Sequence, residues 1–238
     1  MNNTVKILNE FGIKPTNNHT SAGADFYIPY FTEDKQDVAF EAFKKSYGAS
    51  NNDLPNIKFA IKEIMSRYSI ALNNEQLNNA LHLYLALDSS YLKSFEDFQD
   101  KITNFCTNYL KIDEKTGKPG LELQFSDSLL INSGIRVALN PGTAGIFFNK
   151  SGRGNSGWDV RAQVVDEDYT GFVHLSLSYT KKTPNGKSTI FCGDKLTQMV
   201  ILPVIHSEYE ETTIEDYYKT MSNSERGNNG FGSSDEKH

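Results

Sequence analysis

Near the end of the chain, Arg226-Gly227-Asn228-Asn229-Gly230-Phe231-Gly232-Ser233-Ser234 gathers an arginine, three glycines, an aromatic ring and two hydroxyls within nine residues. Glycine has no Cβ, so backbone N–H groups there can approach phosphate oxygens closely. Arginine adds a bidentate phosphate contact, and a phenylalanine between glycines can lie flat on a planar base. That chemistry describes a lid over a nucleoside polyphosphate; composition alone describes a polar, flexible terminus. Asp166 follows Val164-Val165. A carboxylate at the end of a predicted strand can orient and deprotonate a water as a general base; Asp166-Glu167-Asp168 can equally be a hairpin turn. Ser151-Gly152 follows an apolar stretch, and a hydroxyl with N–H groups opening a turn or helix can bind phosphate.

Such residues need a rigid frame, and the hydrophobic pattern of residues 1–30 and 119–206 predicts one built of strands. Residues 121–125 alternate with period two. So do residues 131–139, which place Ile131, Ser133, Ile135, Val137 and Leu139 on one face. Residues 145–148, 164–165, 172–178 and 199–205 are further short runs. Asn140-Pro141-Gly142, Ser151-Gly152 and Pro184-Asn185-Gly186 supply turns between them. The Asn-Gly pair predicts a hairpin between Tyr179 and Ile190. Short, closely spaced strands predict a sandwich, jelly roll or barrel. His174 and His206 fall in apparent strands and read as structural; Trp158 reads as core.

Residues 31–118 have a different texture. Ile57, Ala60, Ile61, Ile64, Met65 and Tyr68 make one helix face, with Asp53 as cap and Pro55 in the first turn. Leu77, Ala80, Leu81, Tyr84 and Leu85 repeat the spacing. Leu92, Phe95, Phe98, Ile102, Phe105 and Tyr109 form a third stripe, and a weaker helix covers 37–47. The chain thus reads as mainly β: a discontinuous β core (1–30 and 119–218), an α-helical insertion (31–118) and a flexible C-terminal tail (219–238).

Composition excludes several classes. The 238 residues carry 24 Lys and Arg against 30 Asp and Glu, a net charge of −6. A generic nucleic-acid or anionic-membrane binder would have a basic excess. Cys106 and Cys192 make neither a disulfide framework nor a zinc site by spacing. The sequence has neither a signal peptide nor an apolar run of about 18 residues, so a cytoplasmic location is expected.

Five segments, in order, resemble the motifs of the homotrimeric all-β dUTPases, which hydrolyse dUTP to dUMP and pyrophosphate. They are Ser21-Ala22-Gly23-Ala24-Asp25-Phe26, Asn149-Lys150-Ser151-Gly152, Val164-Val165-Asp166-Glu167-Asp168-Tyr169-Thr170-Gly171, Gly193-Asp194-Lys195-Leu196-Thr197-Gln198 and the glycine-rich tail. The resemblance implies a distorted jelly roll and assigns Asp166 as the base that activates the attacking water. It places Tyr169 against C2′ of the sugar, where a ribose hydroxyl would clash. Asp25 becomes the carboxylate near Mg²⁺, a hard cation held chiefly by the triphosphate with waters between. Lys150, Ser151, Gly152 and Gln198 become phosphate contacts, and Arg226, Phe231, Gly232 and Ser233 the lid.

Uracil would be read mainly by backbone groups of the hairpin at 158–165, with Ala162 and Val165 as candidates. The resemblance also implies three shared sites per trimer. One subunit gives the first, second and fourth motifs, another the third motif, and the last its tail. Lys150 and Lys195 stand where the family commonly has arginine, Thr197 where it has alanine, and Arg161 and Gln163 where it often has glycine. Lysine keeps the charge and loses the planar fork. Helical insertions of this kind occur among bacteriophage members, and the insert is expected to decorate the trimer and contact another protein. A nucleotide-responsive regulatory protein on the same scaffold is the alternative. A dCTP deaminase would need a catalytic glutamate and lacks the Asp166–Tyr169 pairing.

Overall fold

The structure, a computed structural model, describes residues 4–18, 20–47, 50–88, 98–182 and 186–224. Two compact units divide between Val204 and Ile205. Among the described residues no helix is long and apolar enough to cross a membrane.

The first unit is mainly β, as the strand texture predicts. Its strands are β1 (Lys6–Asn9), β2 (Ala24–Tyr27), β3 (Leu110–Ile112), β4 (Pro119–Gln124), β5 (Ser128–Asn132), β6 (Ile135–Ala138), β7 (Thr143–Asn149), β8 (Trp158–Arg161), β9 (Val164–Val165), β10 (His174–Tyr179), β11 (Lys187–Phe191) and β12 (Lys195–Pro203). They pair antiparallel in four small sheets, ordered β1-β6, β5-β10-β8, β11-β4-β3 and β2-β12-β7-β9.

The residues predicted on one face of 131–139 are all buried, but Ile131 belongs to β5, Ile135 and Val137 to β6, and Ser133 and Leu139 to neither. Gly134, at φ 69°, breaks the run. A Cβ there would lie 2.5 Å from the Gly12 nitrogen and 2.6 Å from the Phe11 ring. Only a glycine turns this corner, after which the chain leaves β10 and pairs with β1. The hairpin predicted between Tyr179 and Ile190 has no counterpart in the pairing of the described strands, and Asn185 lies outside the described residues. β10 pairs with β5 and β8, while β11 pairs with β4. Among the described residues β10 ends at Tyr179 and β11 begins at Lys187, in another sheet. A two-residue turn needs strands that run up to it. The strand predicted through Ile205 ends at Pro203, so His206 is not in a strand. His174 opens β10 and Trp158 is buried, its indole N–H donating to Ser188 Oγ at 3.0 Å.

The helices are α1 (Gln36–Tyr47), α2 (Asp53–Arg67), α3 (Asn74–Asp88) and α4 (Phe98–Asn104), the last running into a π-turn at Phe105–Tyr109. Asn52, not Asp53, is the N-cap of α2. Asp53 takes the first helical position and its Oδ2 accepts from the Ser50 N–H at 2.8 Å. Ile57, Ile61 and Met65 are buried, and Tyr68, beyond the last turn, is exposed. In the third stripe Ile102 and Phe105 are buried and Phe98 is exposed; Leu92 and Phe95 lie outside the described residues.

α3 departs furthest from expectation. Every residue from Leu77 to Leu87 is buried, not one stripe. A helix buried all round belongs inside a core. Leu81, Leu83 and Tyr84 join Phe11, Leu121 and Ile131 in one hydrophobic cluster. Asn79 satisfies the Phe31 backbone, accepting from its N–H at 2.9 Å and donating to its carbonyl at 3.1 Å. His82 packs edge-on to Phe11 and Phe31, with centroids 5.9 and 5.4 Å away. The Tyr30 hydroxyl donates to Glu75. The helical segment also supplies β3, which extends the sheet of β4. It is built into the β core and is not a decoration on it.

Among its described residues the second unit contains one short helix, Ile214–Thr220, capped by Thr213, whose Oγ1 accepts the Asp216 N–H at 3.1 Å. Its described residues are exposed throughout.

Candidate active site

The register of β2, β12 and β7 assembles a polar pocket. Gln198 on β12 is paired with Asp25 on β2 and with Phe148 on β7. Lys195 lies three residues before Gln198, which on a regular strand would put the two on opposite faces. The register slips by one residue between Lys195 and Thr197. This bulge restores Lys195 to the Asp25 side. Lys195 Nζ is 3.0 Å from Asp25 Oδ2, and Lys150 Nζ donates to Asp25 Oδ1. Burial pushes the Asp25 carboxyl up, but Lys150 and Lys195 outweigh it and hold it below the usual carboxylate range. Asp25 in turn holds Lys195 above its ordinary value.

Beyond β7, Lys150 is extended and Ser151 opens the one-turn helix α5 (Ser151–Asn155). Lys150, Ser151, Gly152, Arg153, Lys195 and Gln198 line a pocket of about 460 Å³. Gln198 Nε2 donates to the Asn149 carbonyl at 3.1 Å. A Cβ on Gly152 would meet nothing within 4 Å, so packing does not require glycine there. Among the described residues no group of three or more His, Cys, Asp or Glu can hold a metal. Asp25 offers one ionised, hard oxygen ligand beside two ammonium groups. That fits Mg²⁺ carried in on a polyphosphate and does not fit a resident ion held by protein alone.

Asp166 and Tyr169 lie elsewhere in the chain. β9 pairs with β7 at Gly145↔Val165 and Ile146↔Val164. Asp166 therefore sits beside the start of β7, while Lys150 and Ser151 follow its end. A strand of this length spans about 20 Å. Asp166 is exposed and its carbonyl accepts from the Tyr169 N–H at 3.2 Å. Glu167 accepts from the Gly142 N–H, and Arg136 Nη1 donates to the Thr170 carbonyl at 2.7 Å. Arg136 is itself held by Glu10 at 2.7 Å and lies 3.8 Å over the Phe172 ring. The Tyr169 hydroxyl donates to the Phe172 carbonyl at 2.8 Å. Its ring folds over Gly171, where a Cβ would lie 2.4 Å from the hydroxyl. Glu167, Arg136 and Gly171 thus position the segment that carries Asp166 and Tyr169.

The turn between β8 and β9 contains Ala162 at φ 49°, a left-handed conformation that costs a non-glycine residue on the order of 1 kcal/mol. Strain of this kind concentrates at ligand-binding turns. Val165 is buried in the hydrophobic cluster and is paired with Gly145 of β7. The tail residues Arg226, Phe231, Gly232 and Ser233 lie outside the described residues. Sequence reading did not single out Arg153 or Arg136. For Arg153 the signal was its place one helical turn after Lys150; for Arg136 there was none, since its partners are distant in sequence.

A family model for dUTPase matches residues 121–235. The deoxyuridine 5′-triphosphate nucleotidohydrolase of Histophilus somni is 31% identical over 122 residues, covering 50% of this chain and 75% of that protein. The enzyme of the same name from Hahella chejuensis is 34% identical over 119 residues, covering 48% and 72%. Among solved structures, a Staphylococcus bacteriophage 80alpha dUTPase bound to dUpNHpp aligns with a TM-score of 0.52 at 14% identity, over 98% of both chains. Its fold therefore accounts for the helical segment as well as the strands.

Proposed function

The chain belongs to the dUTPase family and hydrolyses dUTP to dUMP and pyrophosphate, and we propose that it does so in sites shared between the subunits of a homotrimer. The separation of Asp166 from the basic pocket carries this reading. A general base must come within about 3 Å of the proton it takes. A neighbouring subunit's segment laid over the pocket supplies that reach, and a closed ring of three copies satisfies every site alike.

In this reading Ser151, the N–H groups beside Gly152, and Gln198 hold phosphate oxygens. Lys150 and Lys195 neutralise them as point charges. Asp25, held ionised, would hold the Mg²⁺ that the nucleotide brings. Bound Mg²⁺ supplies charge neutralisation of the triphosphate and of the departing pyrophosphate. Asp166 takes a proton from the water that attacks the α-phosphorus. As the new P–O bond forms, the bond to the bridging oxygen breaks and pyrophosphate leaves. Tyr169 packs against C2′ and excludes a ribose hydroxyl. Backbone groups around Ala162 and Val165 read the uracil edge, where a mismatched base leaves polar groups unpaired. Arg226, Phe231, Gly232 and Ser233 close over the nucleotide. Phe59 on α2 and Val38 on α1, both exposed, are the apolar side chains offered to a protein partner.

Pyrophosphate release from dUTP, dCTP, dTTP and UTP with Mg²⁺ tests the reading. Selective turnover of dUTP is expected. Turnover of dCTP without dUTP activity would overturn it.

A further inference from the structure

We propose that Arg153 is a phosphate-binding residue of this enzyme, supplying the planar guanidinium fork that Lys150 and Lys195 do not. The proposal deepens the reading of the pocket as the site of the triphosphate and rests on it.

Arg153 lies on α5 and lines the same pocket as Lys150, Ser151, Gly152, Lys195 and Gln198. Its Nη2 is 2.7 Å from Asp194 Oδ2, and its Nε donates to the Lys195 carbonyl at 3.1 Å. Asp194 is itself fixed, since its Oδ2 also accepts from the Phe191 N–H at 3.0 Å. The guanidinium is therefore held in a set plane, beside the backbone of Lys195. A guanidinium has five N–H donors. Asp194 and the Lys195 carbonyl take two among the described contacts. The side chain is 26% exposed and lines the pocket, so a ligand there can reach it.

The surroundings favour a ligand role over a purely structural ion pair. Two glycines flank Arg153, and a Cβ on Gly152 would meet nothing within 4 Å. A partly exposed pair with Asp194 adds little stability by itself. What it does add is orientation: a pre-set fork loses less freedom per hydrogen bond than a flexible ammonium. Lys150 and Lys195 both already engage Asp25. Arg153 is the third cation of the pocket and the one with geometry matched to two phosphate oxygens at once. Three cations together suit the multiply charged β/γ end of the nucleotide.

Calorimetric binding with Mg²⁺ of α,β-imido-dUTP and of dUMP, to wild type, Arg153→Gln and Arg153→Lys, tests this. Arg153→Gln should weaken the triphosphate analogue about ten- to hundredfold and leave dUMP within about twofold. Arg153→Lys, which keeps the charge beside Asp194, should restore only part of the loss. Unchanged binding of the analogue by Arg153→Gln would overturn the proposal. Equal loss for both ligands would overturn it too, because the arginine would then be holding the fold. A wild type that binds dUMP as tightly as the analogue would instead show that the pocket holds no triphosphate, and both readings would fall.

Discussion

Asp166 and Ser151 stand at opposite ends of strand β7, separated by about 20 Å along it. In the proposed reading both act on one nucleotide, and that separation calls for a second subunit. Mixed trimers should therefore rescue activity. Asp166→Asn and Lys150→Glu should each lose at least about a hundredfold in kcat. Denatured together at equal amounts and refolded, they should regain about a quarter of wild-type turnover, the share of sites that draws both intact halves by random assortment. A mixture as inactive as its parents would place the whole site within one chain.

Asp25 is held by Lys150 and Lys195 before any nucleotide arrives. Its carboxyl titrates below the ordinary value of 3.8, so its ion pairs support the fold at neutral pH. That support goes as pH falls through the lowered value. Asp25→Asn should raise the Mg²⁺ concentration for half-maximal activity by about tenfold or more, as loss of a group that orients metal-bound water does. Titrating activity with Mg²⁺ reads this directly. An unchanged midpoint would remove Asp25 from the metal's surroundings.

Tyr169 lies over Gly171 because nothing projects from that Cα. In Gly171→Ala the new methyl would meet the hydroxyl at 2.4 Å and a ring carbon at 2.5 Å, and the ring must move. The preference for dUTP over UTP, taken as a ratio of kcat/KM, should fall about tenfold, the worth of one steric contact in a specificity pocket. An unchanged ratio would show that the ring does not police the sugar.

Much of this was legible in the sequence because local pattern and local chemistry agree. The buried positions of 131–139 and the core positions among 77–85 were readable from their spacing, and the motifs marked Asp25, Ser151 and Gln198, which the structure gathers around one polar pocket. The corner at Gly134 was not, because the alternation continues through it unbroken; its cause is the approach of Gly12 and Phe11. The lack of pairing between β10 and β11 has a similar origin. A turn dipeptide reports local backbone preference, while β10 and β11 take their partners from strands β5, β8 and β4 elsewhere upstream in the chain. The depth of α3 was partly visible in Ala80-Leu81-His82-Leu83-Tyr84-Leu85-Ala86-Leu87, a run too apolar for a one-sided helix. The bulge that turns Lys195 toward Asp25 leaves no trace in composition.

Removing residues 31–118 should abolish soluble protein. The sequence predicts a segment that decorates the trimer, but Leu81, Leu83 and Tyr84 share one core with Phe11, Leu121 and Ile131. Each fully buried apolar side chain is worth about 1.5–3 kcal/mol. Losing several exceeds the total of about 5–15 kcal/mol that keeps a domain folded. Expression of the joined remainder, followed by the soluble fraction and its sedimentation, checks this. A soluble, active trimer would show that the β strands close their own core.

His82 should make the protein acid-labile above the usual carboxylate range. It is fully buried against Phe11 and Phe31, and burial pushes its pKa down to about 3, against a smaller opposing pull from the Asn132 backbone. Folded, it stays neutral through mildly acidic pH; unfolded, it takes up a proton below its ordinary value of 6.5. The unfolded state therefore binds more protons between these values, and stability falls as pH drops through that window. At pH 5 the cost from His82 alone is about 2 kcal/mol. His174, also lowered by burial, acts in the same direction. Urea unfolding from pH 7 to pH 5 should show this decline, and His82→Leu should flatten it by about that amount. A variant whose stability falls as steeply as wild type would mean that His82 is already protonated in the folded protein.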